Sequence, residues 1–131
     1  VEKRREILGE NHPDTLKAMN NLASSYDAND ETEKALNLYK QVWERRKLVL
    51  GEKHPNTLKS VNNLASFYMK KKKKKKAVEL YEYVYEMRKE ILGSEHPDTL
   101  KSGKKLMQLY QWMGQTEKAD EFLREYLKLL Q

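Results

Sequence analysis

The chain has 131 residues, 38% hydrophobic and 35% charged, and 26 basic against 20 acidic side chains give a net charge of +6. It has no cysteine, which removes disulfides, thiolate nucleophiles and cysteine metal sites, and which fits a reducing compartment, so a cytoplasmic location is expected. No run approaches the ~20 apolar residues of a membrane span, no basic segment leads into an apolar one as in a signal peptide, and five Gly and three Pro are too few for a loop-rich or disordered chain.

The first residues, from Val1 to Leu8, include Lys3-Arg4-Arg5-Glu6-Ile7-Leu8 and resemble the segments that end at Leu50 and Leu92. They read as the tail of a helix whose beginning is missing, and with Val rather than Met first, an excised or mature fragment is expected. From residue 9 onward the chain repeats. His-Pro recurs at 12–13, 54–55 and 96–97, a spacing of 42, and Leu-Gly and Thr-Leu-Lys recur with it. Residues 9–50 and 51–92 are identical at 22 of 42 positions. The units are 9–50, 51–92 and 93–131, forming one array over 1–131.

Each unit reads as two helices. The first opens at Pro13, Pro55 or Pro97, where the missing N–H has no intrahelical partner in any case. Asp14 and Asp98 follow, where a carboxylate suits the positive helix end. Leu16, Met19, Leu22, Ala23 and Tyr26 then fall on one stripe of period 3.6. Residues 28–31 form a polar break. The second helix carries Ala35, Leu38, Tyr39, Val42 and Val49, and Gly51 is expected to close it as a left-handed cap. No segment alternates with period two, so the spacing predicts six full helices, the stub at 1–8 and no sheet. One pair cannot bury both stripes, so pairs must stack as an all-α solenoid. Small residues, Ala23 with Ala35 and Ala65 with Ala77, would let paired helices approach within about 8–10 Å.

The order Leu22-Ala23-x-x-Tyr26, Ala35 nine residues on and Tyr39 four later resembles the tetratricopeptide repeat. The 42-residue period, with Leu-Gly-x-x-His-Pro-Asp-Thr-Leu and Asn-Asn-Leu-Ala, is similar to the kinesin light chain subtype, which also occurs in nephrocystin-3-like proteins and in bacterial and fungal signalling proteins. The resemblance covers essentially the whole chain. It implies a right-handed superhelix of antiparallel helix pairs whose first helices line a concave groove for extended peptides. The implied groove positions are Lys17, Asn20, Asn21, Ser24 and Asp27 in the first unit. In the second they are Lys59, Asn62, Asn63, Ser66 and Met69, and in the third Lys101, Lys104, Lys105, Gln108 and Gln111. Asn21 and Asn63 match the asparagine that grips peptide backbone in the family, while the third unit has Lys105 there. Trp112 falls at the groove rim as an exposed anchor.

Two chemical expectations follow. Lys17, Lys59 and Lys101 form a ladder which, with Lys104 and Lys105, makes the groove positive and suits a protein or peptide partner with acidic residues; against this stands the reading of lysine as a solvated helix former. The pairs Asn20-Asn21 and Asn62-Asn63 sit mid-helix against their propensity, either to touch a ligand or to hydrogen-bond between helices. The histidines are spaced too far apart to converge on a metal and should cap or pack their loops; neither metal nor cofactor is expected.

Lys70–Lys76 is the third feature. Removing its seven positives from the net charge of +6 leaves −1, so the basic character is local. Lys76 repeats Lys34 and Lys118, which leaves Lys70–Lys75 as the anomaly. The run is either a solvated turn or a docking point for acidic protein, nucleic acid or anionic lipid. Nucleic acid is the less favoured of these, since no aromatic residue interleaves with the run. No phosphate loop, metalloprotease motif or activated nucleophile is present, so no enzyme is expected. The sequence therefore reads as an interaction scaffold with a concave peptide groove, and self-association through exposed end helices stands as a further reading.

Overall fold

The computed structural model describes residues 12–130, so the expected stub at 1–8 lies outside the described residues. Six helices run through them: α1 Pro13–Ala28, α2 Thr32–Leu50, α3 Pro55–Lys70, α4 Lys74–Leu92, α5 Pro97–Trp112 and α6 Thr116–Leu130. Among the described residues there is no strand. The order is that of the repeat, a 16-residue first helix in each unit followed by one of 15 or 19 residues.

The starts of the first helices share one device. The imidazole Nδ1 of His12 accepts the N–H of Asp14 at 3.1 Å, that of His54 accepts the N–H of Asn56 at 3.0 Å, and that of His96 accepts the N–H of Asp98 at 3.1 Å. Each histidine therefore stands where Ser or Asp usually caps a helix, just before the proline. The histidines are caps of their own helices, as their place before proline suggests.

The ends of the first helices also share one geometry. The N–H groups of Glu31, Lys73 and Gln115 donate five residues back to the carbonyls of Tyr26, Tyr68 and Tyr110, at 2.8, 2.9 and 2.7 Å. The N–H groups of Asp30, Lys72 and Gly114 donate to the carbonyls of Asp27, Met69 and Gln111, at 3.1, 3.0 and 3.0 Å. This pair of bonds is the Schellman closure, and it requires a left-handed residue at the position between. Asp30, Lys72 and Gly114 occupy it with φ of 60°, 61° and 76°.

The sequence reading assigned the left-handed cap to Gly51, and the structure differs. Gly51 and Gly93 have φ, ψ of 95°, 157° and 94°, 159°, an extended conformation with positive φ that is essentially restricted to glycine. The left-handed caps lie instead at the turn inside each unit, and only the third uses glycine for it.

The described residues fall into two compact units that divide between Leu64 and Ala65, and α3 contributes residues to both. The first is built on Leu16, Ala23, Ala35, Val42, Val61 and Leu64, each at most 2% exposed. The second is built on Ala65, Ala77, Val84, Leu106, Leu109 and Ala119 to the same limit. The predicted small pairs Ala23 and Ala35, and Ala65 and Ala77, are all 0% exposed. In the second unit Gly103 takes the place that Val61 holds one period earlier. A Cβ there would lie 3.3 Å from the Tyr85 ring, which also packs on Phe122 with centroids 5.0 Å apart.

Polar clasps tie successive helices together. The Arg46 guanidinium of α2 donates to the Ser60 hydroxyl at 2.8 Å and to the Asn56 carbonyl at 3.2 Å, both on α3. One period later, Arg88 of α4 donates to the Ser102 hydroxyl of α5 at 2.7 Å. Ser60 and Ser102 are buried, so each clasp supplies a polar partner where water does not reach.

Candidate groove in the first unit

In the first unit α1, the end of α2 and the start of α3 enclose an open concavity of about 510 Å³. Its lining brings together five of the predicted groove residues: Lys17, Asn20 and Asn21 of α1, and Lys59 and Asn63 of α3. This follows from the helix period. Positions 17, 20 and 21 share one face of α1 because residues three and four apart are neighbours, and the same positions recur on α3 as 59 and 63.

The lining is positive. Lys17, Lys59 and Arg46 line it, and Asp14 is the one acidic side chain of the lining. Lys17 and Lys59 are exposed. Burial lowers the Arg46 pKa from its ordinary value, yet a guanidinium stays charged in proteins. Sequence reasoning missed Arg46; its signal was the Arg-Lys pair at 46–47 that returns at 88–89.

The asparagines divide in role. Asn63 Nδ2 donates to Asn20 Oδ1 at 3.3 Å across α1 and α3. A carboxamide has two donors and an acceptor, so this bond leaves Asn20 with both its N–H donors and Asn63 with its oxygen. Asn21 is exposed on the same lining. Asn62 is half-buried and is not part of the lining.

The two predicted serines are engaged elsewhere. Ser24 hydrogen-bonds Tyr39 and Ser66 hydrogen-bonds Tyr81, one period apart. Burial raises both phenol pKa values, and each serine bond offsets part of that rise. Asp27 is half-buried, and its charge adds to the rise at Tyr39.

In the second unit Lys101, Gln108 and Gln111 are exposed, and Met69 and Lys105 are half-buried. Lys104 lies over the Tyr126 ring at 5.2 Å beside a recess of about 30 Å³. That space suits one or two waters rather than an organic ligand. Trp112 is 42% exposed, and Lys74 Nζ stands 4.1 Å from its ring centroid.

Among the described residues no group of three or more His, Asp or Glu side chains could hold a metal ion, and no helix is long and apolar enough to cross a membrane.

Comparison with known proteins supplies the family. A model of the tetratricopeptide repeat matches residues 15–56 and again 57–98. Among solved structures, two of a kinesin light chain with nearly identical TPR-like repeats from Podosopora anserina are similar at 35% and 34% identity, with TM-scores of 0.75 and 0.76. Each match covers 92% of this chain and 57% of that one, so this chain spans little more than half their length. BtubC (BKLC) from P. vanneervenii shares the fold at 20% identity and a TM-score of 0.78, over 92% of this chain and 48% of that one. The TPR domain of Arabidopsis FLU shares it at 21% and 0.66, over 88% and 93%. Among curated proteins none matches. The expected all-α solenoid class is borne out by these neighbours together with the six helices.

Proposed function

This chain belongs to the tetratricopeptide repeat family, and on that premise we propose that it binds an acidic, extended protein segment in the concavity of its first unit. Tetratricopeptide repeats mediate protein–protein interaction, and the chemistry of the lining narrows the partner. The observation that carries the reading is the convergence of Lys17, Lys59, Asn20, Asn21 and Asn63 on one open space of about 510 Å³. Lysines attract and orient carboxylates. The carboxamides offer donors and acceptors suited to the backbone of an extended peptide. Asn20 and Asn63 are already aligned by their mutual bond, so less side-chain freedom is lost on binding. The reading assigns no reaction to the chain.

The test is a titration of the chain with a labelled acidic peptide, followed by fluorescence anisotropy. The pair Lys17→Glu and Lys59→Glu should weaken binding by more than about tenfold at low salt, since two attractions become repulsions. The wild-type affinity should fall as salt rises toward ~0.15 M, where screening acts over about 8 Å. Equal affinity of the charge-reversed and wild-type chains at low salt would remove the reading.

A further inference from the structure

The lysine run Lys70–Lys76 starts at the last residue of α3, passes through the turn at 71–73 and ends in the first turn of α4. The backbone of that turn does not call for lysine. The turns after α1 and α5 have the same pair of closing hydrogen bonds, and they carry Asp30 and Glu31 in one case and Gly114 and Gln115 in the other. Lys72 sits at φ 61°, in the left-handed region that disfavours a long side chain. Lysine is placed there against local preference, which points to a role outside the turn.

One lysine of the run is accounted for by the repeat. Lys34, Lys76 and Lys118 lie 5.4 Å over Tyr26, Tyr68 and Tyr110 respectively, so Lys76 is a recurring packing residue. The other six are particular to this turn. Lys72, Lys73 and Lys75 are exposed. Lys74 rests on Trp112, which is itself 42% exposed. Lys71 lies over Phe67 at 5.6 Å, and Phe67 is only 3% exposed.

We propose that the Lys70–Lys75 turn and Trp112 form a docking surface for an anionic membrane leaflet. Four to eight clustered basic residues suit a surface of acidic lipid headgroups, each contributing about fivefold in affinity near the surface. Ammonium groups are compact point charges without the fork that arginine offers to a single carboxylate, so they match a diffuse anionic plane. A half-exposed indole beside them is the side chain that settles at headgroup depth. Single-stranded nucleic acid would call for several open aromatic faces in succession, yet Phe67 and Tyr68 are 3% and 7% exposed, and among the described residues Trp112 is the one exposed aromatic against the run. The run shares no residue with the lining of the first unit's concavity, so each can be altered by its own substitutions.

The experiment measures co-sedimentation of the chain with phosphatidylcholine vesicles, with or without phosphatidylserine, while following tryptophan emission. The turn variant carries K70A, K71N, K72D, K73E, K74T and K75E, which installs the sequence that already forms the same turn after α1. Its circular dichroism should match that of the wild type. The wild-type chain is expected to sediment with the phosphatidylserine vesicles only, more weakly at ~0.15 M salt than at ~0.01 M, and to shift its emission to the blue. The turn variant should lose more than about tenfold in binding. Trp112→Phe should abolish the blue shift while keeping most of the charge-driven binding, because Trp43 remains as the unshifted background. Lys17→Glu should leave vesicle binding unchanged. Equal binding to both vesicle types, no binding to either, or an unaffected turn variant overturns the proposal. So does tighter binding to a single-stranded oligonucleotide at the same salt, which would assign the turn to nucleic acid.

Discussion

Gly51 and Lys72 show how a single residue can suit or oppose its backbone. Gly51 has φ 95° and ψ 157°, and a Cβ built on it would meet nothing within 4 Å. The constraint there is wholly conformational. Gly51→Ala should therefore cost about 1–3 kcal/mol, read as a lower midpoint in denaturant with an unchanged slope. Lys72 has the opposite problem at φ 61°. Lys72→Gly should raise stability by about 1 kcal/mol, and the two changes should move the midpoint in opposite directions. His-Pro was legible as a helix start because proline suits that place. The left-handed caps were not legible, because Asp30 and Lys72 lack the glycine that normally marks such a position. The hydrogen bonds from Ser24 and Ser66 to tyrosine were equally hidden, since nothing local separates a groove serine from one bonded to the neighbouring helix.

At the scale of the element, the stripes of apolar residues decided the helices and the arginine clasps decide how they meet. Arg46 reaches both a side-chain and a main-chain acceptor on α3, at 2.8 and 3.2 Å. Arg46→Ala should cost about 1.5–3 kcal/mol, the range for hydrogen bonds to a charged donor. Arg46→Lys should recover only part of this, because both bonds leave one terminal nitrogen, Nη1, and the ammonium sits at the end of a shorter, more flexible stem that must be ordered to reach the same acceptors. Thermal melts of the two variants beside the wild type measure the difference. The helix boundaries were readable to within a residue or so from proline, the polar break and Leu-Gly. The clasp was not, since the recurrence of Arg46 at Arg88 and of Ser60 at Ser102 does not by itself say that the two side chains meet.

For the molecule as a whole, buried phenols set the alkaline limit. Burial is the first cause of the raised pKa of Tyr39, Tyr81, Tyr85 and Tyr110. At Tyr110 the hydroxyl donates to Glu82 Oε2 at 2.9 Å, and that bond and the Glu82 charge raise it further. A phenol whose pKa is higher folded than unfolded contributes its full stability below the unfolded value, about 10, and loses it as pH rises beyond. Denaturation midpoints should hold up to about pH 10 and fall above it, and Tyr110→Phe should fall less steeply. Phenolate absorbance in the native chain should rise later than in denaturant. The fold class was legible at this scale because a 42-residue period leaves few alternatives. The concavity was legible in its lysines and asparagines, while the bond between Asn20 and Asn63 depended on two helices meeting 43 residues apart.

The shared turn after α1, α3 and α5 has a further consequence for how such chains change over generations. Its closing bonds are all between main-chain atoms, and it accepts an acidic, a lysine-rich or a glycine-bearing sequence without altering its path. Charge at this corner can therefore drift or be exchanged between copies while the helices stay in place. A duplicated repeat thus inherits its architecture intact and keeps one short stretch free to acquire a new surface.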